Sequence, residues 1–238
     1  MKVDILFFGA HPDDVELSCG GTILKHKKQG KKIGIVDLTR GELGTRGSIK
    51  DRDQEAETAA NILGVDVRDN LSLPDGFFTN EKKHQLEVIK AIRKYQPDII
   101  VTPASKDRHP DHGKACELIT QASFLSGLRM IETDLNGKKQ EPWRANSLYH
   151  YIQYWHINPD FVIDITDFIE TKMLAVKAYK SQFFDPNSKE PETLISKPEF
   201  LNHLYSRAEE YGKHIGVKYA EGFTLQRIPG VESFFDLK

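Results

Sequence analysis

Four times within the first 126 residues a short apolar run is followed by a segment of helical periodicity. That alternation restricts the chain to a parallel sheet with helices packed on both faces. The runs are Val3–Phe8, Ile33–Leu38, Val67–Leu71 and Asp98–Thr102. The first closes on Gly9, as expected of a strand buried on both sides. The helical stretch after it ends near Gly30; Ser48 suits the N-cap of a second helix running through Leu63, with Gly64 just past its end. Glu81–Tyr95 sets Leu86, Ile89 and Ile92 at helical spacing with Val88 beside them, and Pro97 ends it. A polar loop follows the fourth run and leads into a helix reaching about Leu125. The expected fold is α/β, a Rossmann-like three-layer domain with a mostly parallel sheet.

The second half is less regular. Gly127–Ala145 has little periodicity and reads as a long connection. Leu148–Ile152 and Phe161–Ile165 read as strands, Thr166 or Asp167 as the cap of a helix to about Tyr179, and Glu199–His214 as a helix. Asp185–Pro198 carries three prolines and reads as a surface loop; Val217–Ile228 returns as a strand or extended tail. One domain over residues 1–238 is expected, with 1–126 as its regular half and 127–238 as an irregular, partly β portion walling the site.

Charge and composition exclude several partners. The net charge is −2 and the pI about 6.5, with no basic stripe of the kind nucleic acid requires. No apolar run approaches the ~20 residues that span a bilayer. Cys19 and Cys116 make no disulfide framework, and the chain opens on a strand-like KVDILFF rather than a basic-then-apolar leader. A cytoplasmic protein with reduced, buried cysteines is the expectation.

Chemistry is concentrated in two clusters. At the end of the first run stands Gly9-Ala10-His11-Pro12-Asp13-Asp14, where a dinucleotide-binding domain would carry a glycine fingerprint. A histidine and two carboxylates there repel phosphate and attract a cation. After the fourth run comes Ser105-Lys106-Asp107-Arg108-His109-Pro110-Asp111-His112. In doubly wound sheets the first strand neighbours the strand at which the winding reverses, and ligands bind in the crevice beyond those strand ends. If the fourth strand is that neighbour, the clusters face each other. Two His and one Asp would then make a three-ligand catalytic site for zinc, with Fe2+ equally suited to those donors. A spare carboxylate supplies a general base and a spare histidine an oxyanion donor.

The HPDD turn with its downstream HPDH resembles the LmbE/PIG-L-like zinc N-deacetylases. Asp37-Leu38-Thr39-Arg40-Gly41-Glu42-Leu43-Gly44-Thr45-Arg46-Gly47, Arg52, Asp107–His112 and Tyr219-Ala220-Glu221-Gly222-Phe223 extend the likeness over nearly the whole chain, and it is strongest to the bacillithiol biosynthesis deacetylases. The resemblance implies that His11, Asp14 and His112 hold zinc and that Asp13 activates the attacking water. It gives His109 the oxyanion or the leaving amine, and makes Asp111 a group that orients a histidine. It further implies deacetylation of N-acetylglucosaminyl malate and a homo-oligomer, often a hexamer. The two malate carboxylates require cationic partners. Arg46, Arg52 and Arg108 follow strand ends and Arg144 matches a further arginine of the relatives, while Glu42 suits sugar hydroxyls.

Each assignment has a plainer counterpart. Asp13, Asp14 or Asp111 would serve equally as helix caps, and surface arginines are mostly solvated. Tyr149, Tyr151, Tyr154 and Trp155 suit core as well as a sugar pocket, and His26, His84, His203 and His214 read as surface residues. Rival functions are deacetylation of other N-acetyl sugars, a thiol-conjugate amidase, or a metal- or nucleotide-binding module without catalysis. The missing glycine fingerprint opposes nucleotide binding; Asp13 and His109, surplus to the ligand count, oppose a merely metal-binding role.

Overall fold

The computed structural model describes residues 1–236. The β-α alternation is realised as β1 (Ile5–Gly9), α1 (Asp14–Lys28), β2 (Ile33–Asp37), α2 (Ile49–Leu63), β3 (Val67–Asn70), α3 (Lys82–Tyr95), β4 (Ile99–Thr102) and α4 (Pro110–Ser126). A two-stranded ribbon, β5 (Asp134–Leu135) and β6 (Lys138–Lys139), interrupts the connection read as irregular. Then come β7 (Ser147–Tyr151), β8 (Phe161–Asp164), α5 (Ile169–Lys177), α6 (Pro198–Lys213) and β9 (Ala220–Leu225). The main sheet runs β3-β2-β1-β4-β7-β9-β8, parallel from β3 to β7 and antiparallel where β9 enters between β7 and β8.

Side chains on β1 alternate between two cores. Ile5 and Phe7 pack with α1, α2, α5 and Leu204 of α6, whereas Leu6 and Phe8 pack with α3 and α4. A strand apolar at every position is therefore required, because both faces are covered. The caps follow local chemistry. Ser48 and Asp51 form a reciprocal capping box at the start of α2, and Gly64 ends it at φ 67°. The segment after β8 differs from expectation: Thr166–Phe168 is a 3₁₀ turn, and α5 starts only at Ile169 with no side-chain cap. His84 is a second correction, since it is buried and its Nδ1 meets Thr79. Tyr151 is core, and both cysteines are free and buried.

The YAEGF segment is explained by packing. Glu221 on β9 accepts hydrogen bonds from the backbone N–H groups of Gly21 (3.0 Å) and Thr22 (2.7 Å) and pairs with Lys172 (2.7 Å). Gly21 also lets Ile165 pack against α1, because a Cβ there would sit 2.6 Å from that side chain. This buried clamp ties the last strand and α5 to α1, the helix that begins at the HPDD turn. No helix among the described residues is long and apolar enough to cross a membrane.

Candidate active site

The strand order puts β1 beside β4, at the point where the winding reverses. The two motif loops leave these neighbouring strands at the same edge, so the HPDD and DRHPDH segments meet. His11 and His109 rings lie 4.7 Å apart, and His109 and His112 rings 5.2 Å apart.

Asp14 stands between two imidazoles. Its Oδ2 is 3.5 Å from His11 Nδ1 and its Oδ1 is 3.2 Å from His112 Nε2. Each histidine turns its other nitrogen to a carboxylate: His112 Nδ1 to Asp107 at 2.6 Å, and His11 Nε2 to Asp75 at 3.0 Å and Asp111 at 3.4 Å. That carboxylate–imidazole arrangement is how metal-ligating histidines are oriented. Asp107 is itself fixed by the backbone N–H groups of Tyr154 and Trp155, and Asp111 by that of Gly76. Gln153 donates to Asp14 Oδ1. The donors that lie mutually close are His11 with His109 and His112, and His11 with Asp75 and Asp111.

Electrostatics favour positive charge here. Burial opposes a charged His112, yet Asp14 and Asp107 outweigh it and raise its pKa to about 9. Burial likewise opposes a charged His11, and Asp111, Asp14 and Asp75 together raise it well above the usual value. Asp14 is held well below the carboxylate range against burial by the two histidines. This donor set, two nitrogens and a carboxylate oxygen in an acidic shell, fits zinc or Fe(II).

Asp13 behaves differently. It occupies the N-cap position of α1 at φ 111° without making a side-chain cap bond, so the plain capping explanation fails. A non-glycine residue in that region is strained, of order 1–3 kcal/mol, and persists only where its surroundings impose it. Its side chain is enclosed, and burial raises its pKa to about 7 with the nearby Arg52 guanidinium opposing. Arg52 Nη2 donates to the Pro12 carbonyl at 2.6 Å and lies 3.6 Å from Asp13 Oδ2. His109, not an aspartate, caps α4: its Nδ1 accepts from the Asp111 N–H at 3.3 Å. The proton of the neutral ring is then on Nε2. Burial and the neighbouring His11 and His112 lower its pKa.

These groups line a cavity of about 280 Å³. His11, Asp13, Asp14, His109, His112, Arg52 and Arg108 all reach it. Arg108 lies over the Tyr154 ring at 5.1 Å, at the exposed rim. Three expected substrate contacts do not reach it. Glu42 accepts from the backbone N–H groups of Arg40 and Asp75 and so braces the loop that carries Asp75. Arg144 is exposed and packs over Phe124 at 4.9 Å. Arg46 is buried, donating to Ser181 O (2.7 Å), Pro191 O (3.3 Å) and Ser188 Oγ (2.8 Å), and thereby pins the proline-rich loop. Arg46→Ala is expected to lower the unfolding free energy by about 2–3 kcal/mol and to open residues 185–197 to protease. Unchanged stability with a raised KM would return Arg46 to the substrate.

Four contributors carry no motif-based role: Asp75, Asp107, Gln153 and Arg207. Asp75 had a usable signal, a Pro-Asp-Gly turn soon after the third strand, and Asp107 opens the second cluster. Gln153 and Arg207 are single polar positions after β7 and on α6.

The family model for PIG-L, described as GlcNAc-PI de-N-acetylase, matches residues 6–123. Diacetylchitobiose deacetylase from Thermococcus kodakarensis is 30% identical, over 95% of this chain and 84% of that protein. A probable N-acetyl-α-D-glucosaminyl L-malate deacetylase 2 of Bacillus anthracis is 25% identical, over 75% of this chain and 81% of that one. The crystal structure of the conserved protein TT1542 from Thermus thermophilus superposes with a TM-score of 0.86 at 35% identity, covering 97% of this chain and 98% of that one. With both motifs meeting at the switch point of the same fold, the chain belongs to the PIG-L, or LmbE-like, family of metal-dependent N-deacetylases.

Proposed function

We propose that this enzyme hydrolyses the acetamide of N-acetylglucosaminyl malate, releasing acetate and glucosaminyl malate. The observation that carries the deacetylase chemistry is the convergence of Asp13 and His109 beside the His11–Asp14–His112 set on one cavity wall. Support for the malate conjugate comes from the arginines at the cavity and from the name of the Bacillus anthracis relative.

His11, Asp14 and His112 would hold the ion. A bound zinc there lowers the pKa of water towards ~7 and polarises the acetyl carbonyl. Asp13 accepts a proton as the water oxygen attacks the carbonyl carbon. Arg52 keeps that carboxylate aimed into the cavity. His109 Nε2–H donates to the oxyanion as it forms, a role that suits a ring whose Nδ1 already accepts from backbone. Asp13 then returns its proton to the nitrogen, the C–N bond breaks, and the amine leaves with acetic acid, which gives up its remaining proton to solvent as acetate. His11 and His112 are kept in register by Asp75, Asp111 and Asp107 throughout.

The name of the Thermococcus kodakarensis relative favours a second substrate, a neutral N-acetylated disaccharide. Free-amine release from N-acetylglucosaminyl malate, N,N′-diacetylchitobiose and N-acetylglucosamine on zinc-loaded protein separates the two. A preference of tenfold or more for the malate conjugate supports the proposal. Equal or higher rates on chitobiose assign the neutral substrate instead, and release from none of them removes the amino-sugar reading.

A further inference from the structure

Arg207 sits on α6, where its side chain joins the cavity wall between Leu17, Phe200 and Leu204. It appears in none of the sequence motifs. Its hydrogen bond among the described residues runs from Nη2 to the Leu17 carbonyl, at 3.2 Å, and no carboxylate of those residues pairs with it. A guanidinium offers five N–H donors, so most of its capacity is unspent. Arg207 is half-buried, and it contrasts with Arg46, Arg68 and Arg93. Arg68 is paired with Glu16 and Asp37, and Arg46 and Arg93 donate to several oxygens each. Glu221, which lies near it, already accepts hydrogen bonds from Gly21, Thr22 and Lys172. Burial pulls the Arg207 pKa below its ordinary value, with Tyr211, Glu221 and Asp107 opposing.

A charged group in an apolar wall is costly unless an anion meets it, and arginine binds planar carboxylates with a matching pair of donors. The position is suited to a substrate group. Leu17, whose carbonyl anchors Arg207, lies three residues past Asp14, roughly 4.5 Å further along the helix axis. An anion there is therefore within the same ligand as an acetamide held at His11 and His112. Arg108, over Tyr154 at the rim, adds a second cation to the cavity, with no carboxylate paired to it among the described residues.

We propose that Arg207 is the specificity-determining residue of this site, the donor that grips a carboxylate carried by the non-acetylated part of the substrate. The assignment rests on the reading of the cavity as an amino-sugar deacetylase site, and deepens it by locating the group that tells an acidic conjugate from a neutral one.

The test compares zinc-loaded wild type, R207Q and R207K on N-acetylglucosaminyl malate and on methyl N-acetylglucosaminide, which carries no anion. The quantity read is the ratio of kcat/KM for the acidic substrate to that for the neutral one. In R207Q the ratio is expected to fall about 10- to 100-fold, chiefly through KM, as for loss of a charge-assisted hydrogen bond. R207K should fall between, and thermal melts of both variants report on folding. A ratio unchanged in R207Q overturns the assignment, and so does a wild-type ratio near one. The latter leaves the deacetylase chemistry standing. Acetate inhibition relieved by R207Q with an unchanged ratio would make Arg207 a product site, which also overturns it. If wild type acts on neither substrate, the functional reading fails by itself. Calorimetry with glucosaminyl malate against methyl glucosaminide then decides Arg207: a tenfold preference lost in R207Q supports it, and equal affinities overturn it.

Discussion

Asp13→Asn is expected to lower kcat by about 10³-fold, within the range that a positioned general base contributes, while zinc remains bound. Asparagine keeps the shape of the side chain and cannot accept the proton from water. The fold should tolerate it, because the Asp13 carboxylate caps no helix N–H and its cationic neighbour Arg52 also donates to Pro12 O. The decisive pair of measurements is steady-state amine release and metal content by mass spectrometry. Activity within tenfold of wild type would remove Asp13 as the base. Loss of the metal would make it a ligand instead.

Replacing His112 with alanine should abolish stoichiometric zinc binding and reduce activity at least as far as Asp13→Asn. Asp107→Ala should weaken zinc binding by roughly 10- to 100-fold, the usual cost of losing a carboxylate that orients a ligating histidine. The cause is geometric. His112 presents Nε2 to Asp14 at 3.2 Å only while Nδ1 is held by Asp107 at 2.6 Å. Competition with a chromogenic chelator measures both affinities, and zinc added back after chelation should restore wild type alone. If His112→Ala retains tight zinc, the ion belongs to the alternative donors His11, Asp75 and Asp111.

The parts of the fold legible in the sequence are those where local pattern and global position agree. Ile5, Phe7, Leu6 and Phe8 show an apolar side to each core in consecutive positions, and Ser48 and Gly64 bracket a helix by local chemistry alone. The insertion of β9 between β7 and β8 was not legible, because a strand's partners are set by packing far along the chain, and a short strand such as Ala220–Leu225 names none of them. The same division holds in the site. His11 to Asp14 and His109 to His112 were readable because each group is contiguous and two adjacent strands deliver them. Residue type alone does not give direction. Arg46 and Arg144 look like carboxylate binders in one dimension, yet one is spent on loop acceptors 135–145 residues away and the other on an exposed ring. Arg207 is the converse case, an ordinary-looking helical arginine, unremarked in the sequence, that the docking of α6 turns into the cavity.

The Glu221 clamp has a consequence for the order in which this enzyme becomes competent. The amides it engages, at Gly21 and Thr22, leave the ribosome some 200 residues before their acceptor does. Until β9 docks, the Lys172 ammonium lacks its carboxylate and α1 lacks one of the contacts that seat it. Contacts of such long range form late and slowly. A nascent chain carrying both motifs therefore has its metal-binding residues early and its working geometry only at the end, so that premature metal capture by His11 and His112 is a hazard of synthesis and refolding yields should improve when zinc is supplied after the sheet has closed.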